Sequence, residues 1–147
     1  MMSNLAEILR MKQGRPVQHV EQGQTVLQAV RLMNDHGIGA VIVEDSGKMA
    51  GMFTERDILR RIVAAERSPA TTRVAEVMTT EVICCRPDTS IDEARGLMRD
   101  HRIRHLPVLD DSGEIVGLVS IGDLNAHLSD AQELTINSLH DYLHGRV

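Results

Sequence analysis

The stretch Gly117-Leu118-Val119-Ser120-Ile121-Gly122-Asp123 decides the fold, because it recurs upstream as Gly51-Met52-Phe53-Thr54-Glu55-Arg56-Asp57. Each copy reads as the apolar end of a strand, a hydroxyl residue, and an aspartate three positions later on the first turn of a helix. A hydroxyl at a helix start lies beside unpaired backbone N–H groups and the positive end of the helix dipole, so the segment can receive an anion such as a phosphate. The aspartate can accept hydrogen bonds from two adjacent ribose hydroxyls, charge-assisted contacts of roughly 1.5–3 kcal/mol each. The same Ser/Thr-x-x-Asp spacing also describes a capping box, in which hydroxyl and carboxylate satisfy backbone donors and bind nothing. Duplication in one larger context tips the balance toward a nucleotide cradle.

Working outward, the elements around each copy follow one order. Thr25 with Gln28 signals a capping box, opening a helix whose apolar residues Val26, Ala29, Val30 and Met33 keep helical spacing up to Gly37. A short strand over Val17 to Val20 precedes it. Ala40 to Val43 is an apolar run of strand length, and the turn Glu44-Asp45-Ser46-Gly47 leads into a hairpin partner from Lys48 to Phe53. Thr54 then opens a helix carrying Ile58, Leu59, Ile62 and Val63. In the second half a strand is expected from Glu81 to Cys85, a capped helix from Ser90 with Glu93, a strand from His105 to Leu109, its partner through Val119, and a helix from Ser120 to near Leu128. Thr25 to Val43 lie over Ser90 to Val108 at an offset of 65, and Gly51 and Asp57 match Gly117 and Asp123 at an offset of 66. Each half is therefore strand, helix, strand, strand, helix.

The resulting organisation is an N-terminal helix at 1–15, a first repeat at 16–66, a linker with a short helix at 67–77, a second repeat at 78–130 and a C-terminal helix at 131–147. In the first of these, Asn4 and Glu7 suggest a cap, with Leu5, Ile8 and Leu9 on one face. In the last, Ile136, Leu139, Tyr142 and Leu143 share a side of the helix expected over Thr135 to Leu143. A unit of about 60 residues buries too little of its own surface to be comfortably stable alone. Two copies packed about a pseudo-twofold axis give one shared core and two equivalent clefts. The fold class is α/β (α+β): two βαββα repeats with extra terminal helices.

Composition narrows the function. The chain has 147 residues, 42% of them apolar, one Phe, one Tyr, no Trp and a net charge of −5, so neither a basic groove nor aromatic stacking platforms are available for nucleic acid. No apolar run reaches the ~20 residues of a membrane span, and no secretory signal is read at the start of the sequence, so a cytoplasmic protein without a membrane partner is expected. Cys84 and Cys85 are adjacent and alone, and read as reduced packing residues rather than a disulfide or zinc site. His36 and His101 end the two matching helices, where imidazole favours the dipole. His140 and His144 lie four apart but lack the glutamate of a His-Glu-x-x-His metal motif. No Gly-x-Ser-x-Gly elbow and no Gly-x-x-x-x-Gly-Lys-Ser/Thr loop occurs, and the two aspartates belong to different clefts, so no catalytic residue is assigned and the protein is not expected to be an enzyme.

The duplicated order of elements, the Ile-Arg-His-Leu-Pro-Val run at Ile103 to Val108 and the paired Gly-apolar-apolar-Ser/Thr-x-x-Asp endings resemble a tandem pair of cystathionine-β-synthase (CBS) domains over residues 16 to 130. The resemblance implies a regulatory sensor that binds an adenosine ligand, AMP, ADP, ATP, NAD or S-adenosylmethionine, in its clefts and dimerises with a second copy. It implies that Asp57 and Asp123 hold ribose and that Thr54 and Ser120 meet phosphate, with Ile121 and Gly122 in the same nucleotide-binding set; in the first half phosphate binding leans on the helix start, on Arg56 or on a residue from the opposite half. Arg104 and His105 also fall where phosphate is met, while Pro107, Thr80, Val82 and Val17 border the base. In the first half Gly39, Ala40 and Ile42 stand where the second has Arg104, His105 and Pro107, so unequal affinities are expected. The rival reading is a structural interaction module whose clefts stay empty.

Overall fold

Residues 3–12 and 16–127 are described in the computed structural model. They form two compact units: residues 16–83 make one, and residues 3–12 together with 84–127 make the other. Residues 3–12 of the expected N-terminal helix cluster with the second of these units, and the expected linker and its short helix with the first.

In the unit of residues 16–83, the strand β1 (His19–Glu21) pairs parallel with β2 (Ala40–Asp45), which pairs antiparallel with β3 (Lys48–Thr54). The connection between β1 and β2 is α2 (Val26–His36). Its first turn is closed as expected, Gln28 N donating to Thr25 Oγ1 at 3.2 Å and Thr25 N to Gln28 Oε1 at 2.9 Å, a cap worth about 1 kcal/mol. Its last turn ends on Gly37 at φ 61°, a left-handed conformation. Val26, Ala29 and Met33 on one face of α2 meet Val20, Val41, Val43, Phe53 and Ile62 in the core.

The same core takes in Val74 and Val77 of α4 (Val74–Val77). Val74 N donates to Gln24 O at 2.9 Å, and Thr79 and Met52 exchange backbone bonds of 2.8 and 2.9 Å. These bonds attach the supposed linker to the first repeat.

After β3 the chain makes one α-turn, α3 (Glu55–Asp57), and continues as a π-helix over Ile58–Val63. Ile62 is buried and Ile58 packs on the core, but Leu59 and Val63 are each 63% exposed. Of the four apolar residues the helix was expected to carry, the pair Ile58 and Ile62 faces the core and the adjoining pair Leu59 and Val63 faces solvent.

In the other unit, α1 (Leu5–Met11) plays the part that α4 plays in the first. Leu5 N donates to Thr89 O at 3.0 Å and Ile91 N to Ser3 O at 3.1 Å, just as Val74 N meets Gln24 O and Val26 N meets Thr72 O. Leu5 and Ile8 are buried with Ile91, Ala94 and Met98 of α5 (Ile91–His101) and with Leu106, Val108, Val119 and Leu124. β4 (His105–Leu109) and β5 (Ile115–Ser120) form an antiparallel pair, followed by a helix over 121–127, α6. Both hairpins carry a bulge at the same place, between Val43 and Glu44 and between Val108 and Leu109, which supports the 65-residue alignment.

The strand expected over Glu81 to Cys85 is absent: only Cys85 bridges β4, donating to Pro107 O at 2.9 Å and accepting from Leu109 N at 2.8 Å. The reason is Pro107. Its first-unit counterpart Ile42 donates to Gln18 O at 3.2 Å and continues the ladder, whereas proline has no N–H to donate. The expected C-terminal helix, with His140 and His144, lies outside the described residues.

Candidate functional site

In the second unit β5 delivers Ser120 to the start of α6, and Asp123 follows on the first turn. Asp123 N donates to Ser120 Oγ at 3.1 Å and Ser120 N to Asp123 Oδ2 at 2.8 Å, so hydroxyl and carboxylate cap the helix reciprocally. The same Oδ2 accepts Lys12 Nζ at 2.8 Å, while Lys12 also donates to Leu118 O at 2.7 Å. Both bonds fall on Oδ2, and among the described residues Oδ1 accepts none, which leaves its lone pairs for a donor from outside. Burial raises the Asp123 carboxyl, but the bonds from Lys12 and the Ser120 amide outweigh it and hold the group below the usual carboxylate range.

Arg104 stands beside this turn. Its carbonyl accepts Ile121 N at 2.8 Å, its side chain is exposed, and no guanidinium partner occurs among the described residues. His105 pairs with Ser120 across the β4–β5 ladder, and Pro107 is buried opposite Leu118. Ile121 is half-buried and Gly122 exposed. Arg104, His105, Ser120, Ile121, Gly122 and Asp123 are therefore gathered at one end of one hairpin.

The corresponding place in the first unit is closed. Asp57 accepts from Thr54 N at 3.0 Å and from Thr54 Oγ1 and Thr79 Oγ1, each at 3.2 Å, on Oδ2. Its Oδ1 accepts Thr79 Oγ1 at 3.0 Å and has Arg61 Nε at 3.9 Å. With the residue only 5% exposed, both oxygens are engaged inside the protein, and the capping box describes this aspartate well. Arg61 also donates to Val77 O at 3.0 Å and Met78 O at 2.8 Å, tying the π-helix to the end of α4. Where the second unit has Arg104, the first has Gly39, and a Cβ placed there would meet the Glu55 carboxyl carbon at 3.2 Å. An anion thus occupies the place corresponding to the cation.

Of the remaining expected residues, Ala40 is buried opposite Thr54, Thr54 itself is half-buried, and Arg56 is exposed. Val17 is half-buried ahead of β1. Thr80, exposed, and Val82, half-buried, were assigned to the second repeat but fall in the first unit, because the Thr79–Met52 bridge ties their segment to β3. Among the described residues no group of three His, Cys, Asp or Glu side chains could hold a metal ion. Burial pushes the Cys84 and Cys85 thiols up, keeping both protonated and poorly nucleophilic.

The CBS-domain family model matches this chain twice, at residues 6–64 and 74–130. The chain belongs to the CBS-domain family. The CBS domain-containing protein CBSX3, mitochondrial, of Arabidopsis thaliana is 40% identical over 126 residues, covering 82% of this chain but 61% of the relative, so the chain spans less than two thirds of that protein. A solved structure from Burkholderia ambifaria, described as a putative signal-transduction protein with CBS domains, is 44% identical with a TM-score of 0.82, covering 86% of this chain and 93% of the other. The CBS domain pair of protein MJ0100, solved with 5-methylthioadenosine and S-adenosyl-L-methionine, shares the fold at a TM-score of 0.77 and 23% identity, over 89% of this chain and 99% of that one. Among the described residues no helix is long and apolar enough to cross a membrane.

The two CBS repeats thus present the same motif in different states. Three residues that decide the difference, Lys12, Arg61 and Thr79, were missed by motif reading. Arg61, four residues after Asp57, was within reach of helical-spacing arguments, but Thr79 and Lys12 bond aspartates 22 and 111 residues away.

Proposed function

We propose that this protein is a non-catalytic cytoplasmic sensor that binds an adenosine-containing ligand at its second CBS repeat and signals occupancy to a partner. The ribose diol sits on Asp123. The phosphate lies toward Ser120, Ile121 and Gly122 and is met by Arg104 and His105, with Pro107 beside the base. The observation that carries this reading is the Asp123 carboxylate, held ionised through Oδ2 with Oδ1 accepting nothing among the described residues. In the first repeat the same role for Thr54, Arg56 and Asp57, with Val17, Ala40, Thr80 and Val82 near the base, requires the Thr79 hydroxyl to give way, so that site is the weaker one.

Isothermal calorimetry with AMP, ATP and NAD tests the reading. Asp123→Ala lowers affinity about 10-fold or more if the sugar contacts are lost. An unchanged affinity in that variant removes the ribose role. A ligand present at 100 times its dissociation constant also adds about 2.7 kcal/mol to the stability of the folded state, which a thermal-shift screen detects.

A second reading, an interaction module that assembles as a homodimer with its sites unfilled, is favoured by one observation: Leu59 and Val63, four residues apart, are both 63% exposed. Sedimentation of Leu59→Ser/Val63→Ser separates the two. Loss of the dimer with ligand binding intact supports the sensor, and a dimer that binds no adenosine compound supports the module.

A further inference from the structure

We propose that Lys12 is a ligand-selecting residue of the second repeat, its ammonium giving the site a preference for adenosine ligands that carry phosphate over neutral or cationic ones. This rests on the assignment of Asp123 as the sugar-binding carboxylate. Lys12 comes from the end of α1, far from the motif in sequence, and is seated by two bonds, to Leu118 O at 2.7 Å and to Asp123 Oδ2 at 2.8 Å. Ser120 N donates to that same oxygen at 2.8 Å, so the ammonium and the Ser120 amide lie within twice that distance of one another.

An ammonium has three donors, and among the described residues two of them are used, by Leu118 O and Asp123 Oδ2. The third is available to a group arriving at Ser120. The side chains of Lys12 and Asp123 are 27% and 23% exposed, so solvent and salt screen this pair less than they screen an open surface pair. The bond to Asp123 fixes the ammonium beside the carboxylate that takes the sugar, where its remaining donor can reach the next group along the ligand. Arg104, exposed and joined to the same turn through its carbonyl, adds a second cation on that side.

The first repeat supplies an internal comparison. There the aspartate accepts the neutral hydroxyl of Thr79 at 3.0 Å where the second repeat has an ammonium at 2.8 Å, and Glu55 lies against Gly39 at the position of Arg104. Among the described residues the first repeat has no ammonium bonded to its aspartate, the Arg61 Nε standing off at 3.9 Å, so phosphate selection is the stronger in the second repeat. A cationic ligand such as a sulfonium would face like charge beside Asp123, and a neutral nucleoside would leave the third donor of Lys12 without an anionic acceptor.

The test is calorimetry of the full chain with AMP, adenosine and S-adenosylmethionine at low and moderate salt. The parent protein binds AMP at least about tenfold more tightly than adenosine, with an advantage that shrinks as salt rises. Lys12→Met lowers AMP affinity about tenfold, leaves adenosine within about threefold, and flattens the salt dependence, whereas Lys12→Arg keeps most of the AMP preference. An equal AMP and adenosine affinity in the parent overturns the proposal without need of any variant. So does Lys12→Met if it binds both ligands more tightly, which would make Lys12 a mere occupant of the carboxylate. Asp123→Asn distinguishes failure of the underlying assignment: if adenosine affinity does not fall in that variant, or none of the three ligands binds the parent, the sugar site is lost and this proposal with it.

Discussion

Replacing Asp57 by alanine should cost stability rather than affinity. The carboxylate accepts the Thr54 amide and the Thr79 hydroxyl at 3.0 Å each, inside a residue that is only 5% exposed. Hydrogen bonds to an ionised acceptor contribute roughly 1.5–3 kcal/mol apiece, and the truncation also strands the two donors in a place with little water. Allowing for partial relaxation, the loss is about 3 kcal/mol, which for a chain of this size moves the melting temperature down by about 6–12 °C. Differential scanning calorimetry of Asp57→Ala beside Thr79→Val checks it, the latter expected to lose about 1 kcal/mol because it removes one hydroxyl. Calorimetric titration with AMP at the second repeat should be unchanged in both. A variant that melts within about 2 °C of the parent yet loses nucleotide binding would refute the reasoning, since the carboxylate would then serve a ligand and not the helix start.

Other expectations follow from single contacts. Asp123 is held below the usual carboxylate range, so its stabilisation is complete above the unfolded carboxyl value and is lost as pH falls through the lower folded one. Lys12→Met should therefore move the acid limb of a pH–stability curve to higher pH. Gly51→Ala should destabilise by about 1–3 kcal/mol, because the new methyl meets the Thr79 backbone carbonyl, while Gly117→Ala meets the movable end of Leu9 and should cost less in urea unfolding. Gly37 and Arg102 occupy matching left-handed positions at φ 61° and 54°. Gly37→Ala should lose about 1 kcal/mol by chemical denaturation, and Arg102→Gly should gain up to a similar amount.

The parts of the fold governed by neighbours in sequence were legible before any coordinates. The Thr25–Gln28 cap, the matching hairpins and the helix ends at His36 and His101 are decided within a few residues, and duplication doubled the signal. Membership of α1 and α4 was not legible, because it depends on backbone bonds such as Leu5 to Thr89 and Val74 to Gln24 that span dozens of residues. The missing strand at 81–85 had a visible cause in Pro107, but the proline matters only once its partner is known. Adjacent apolar pairs at 58/59 and 62/63 made a stripe too wide to show which half faces the core. At the site, Ser/Thr-x-x-Asp is one spacing with two uses. Whether each aspartate is closed or keeps an accepting oxygen is decided by Thr79 and Lys12, and neither belongs to the motif.

The sequence-split unit to which α1 belongs bears on how the chain folds as it is made. Residues 16–83 form a continuous block interrupting a unit whose own two parts, 3–12 and 84–127, are synthesised at different times. The contacts inside the block are between residues made early, and forming them shortens the effective loop that the outer parts must close. Until the later strands emerge, Leu5 and Ile8 lack the partners that bury them in the finished unit, which makes α1 a late piece to settle although it is the first to be made.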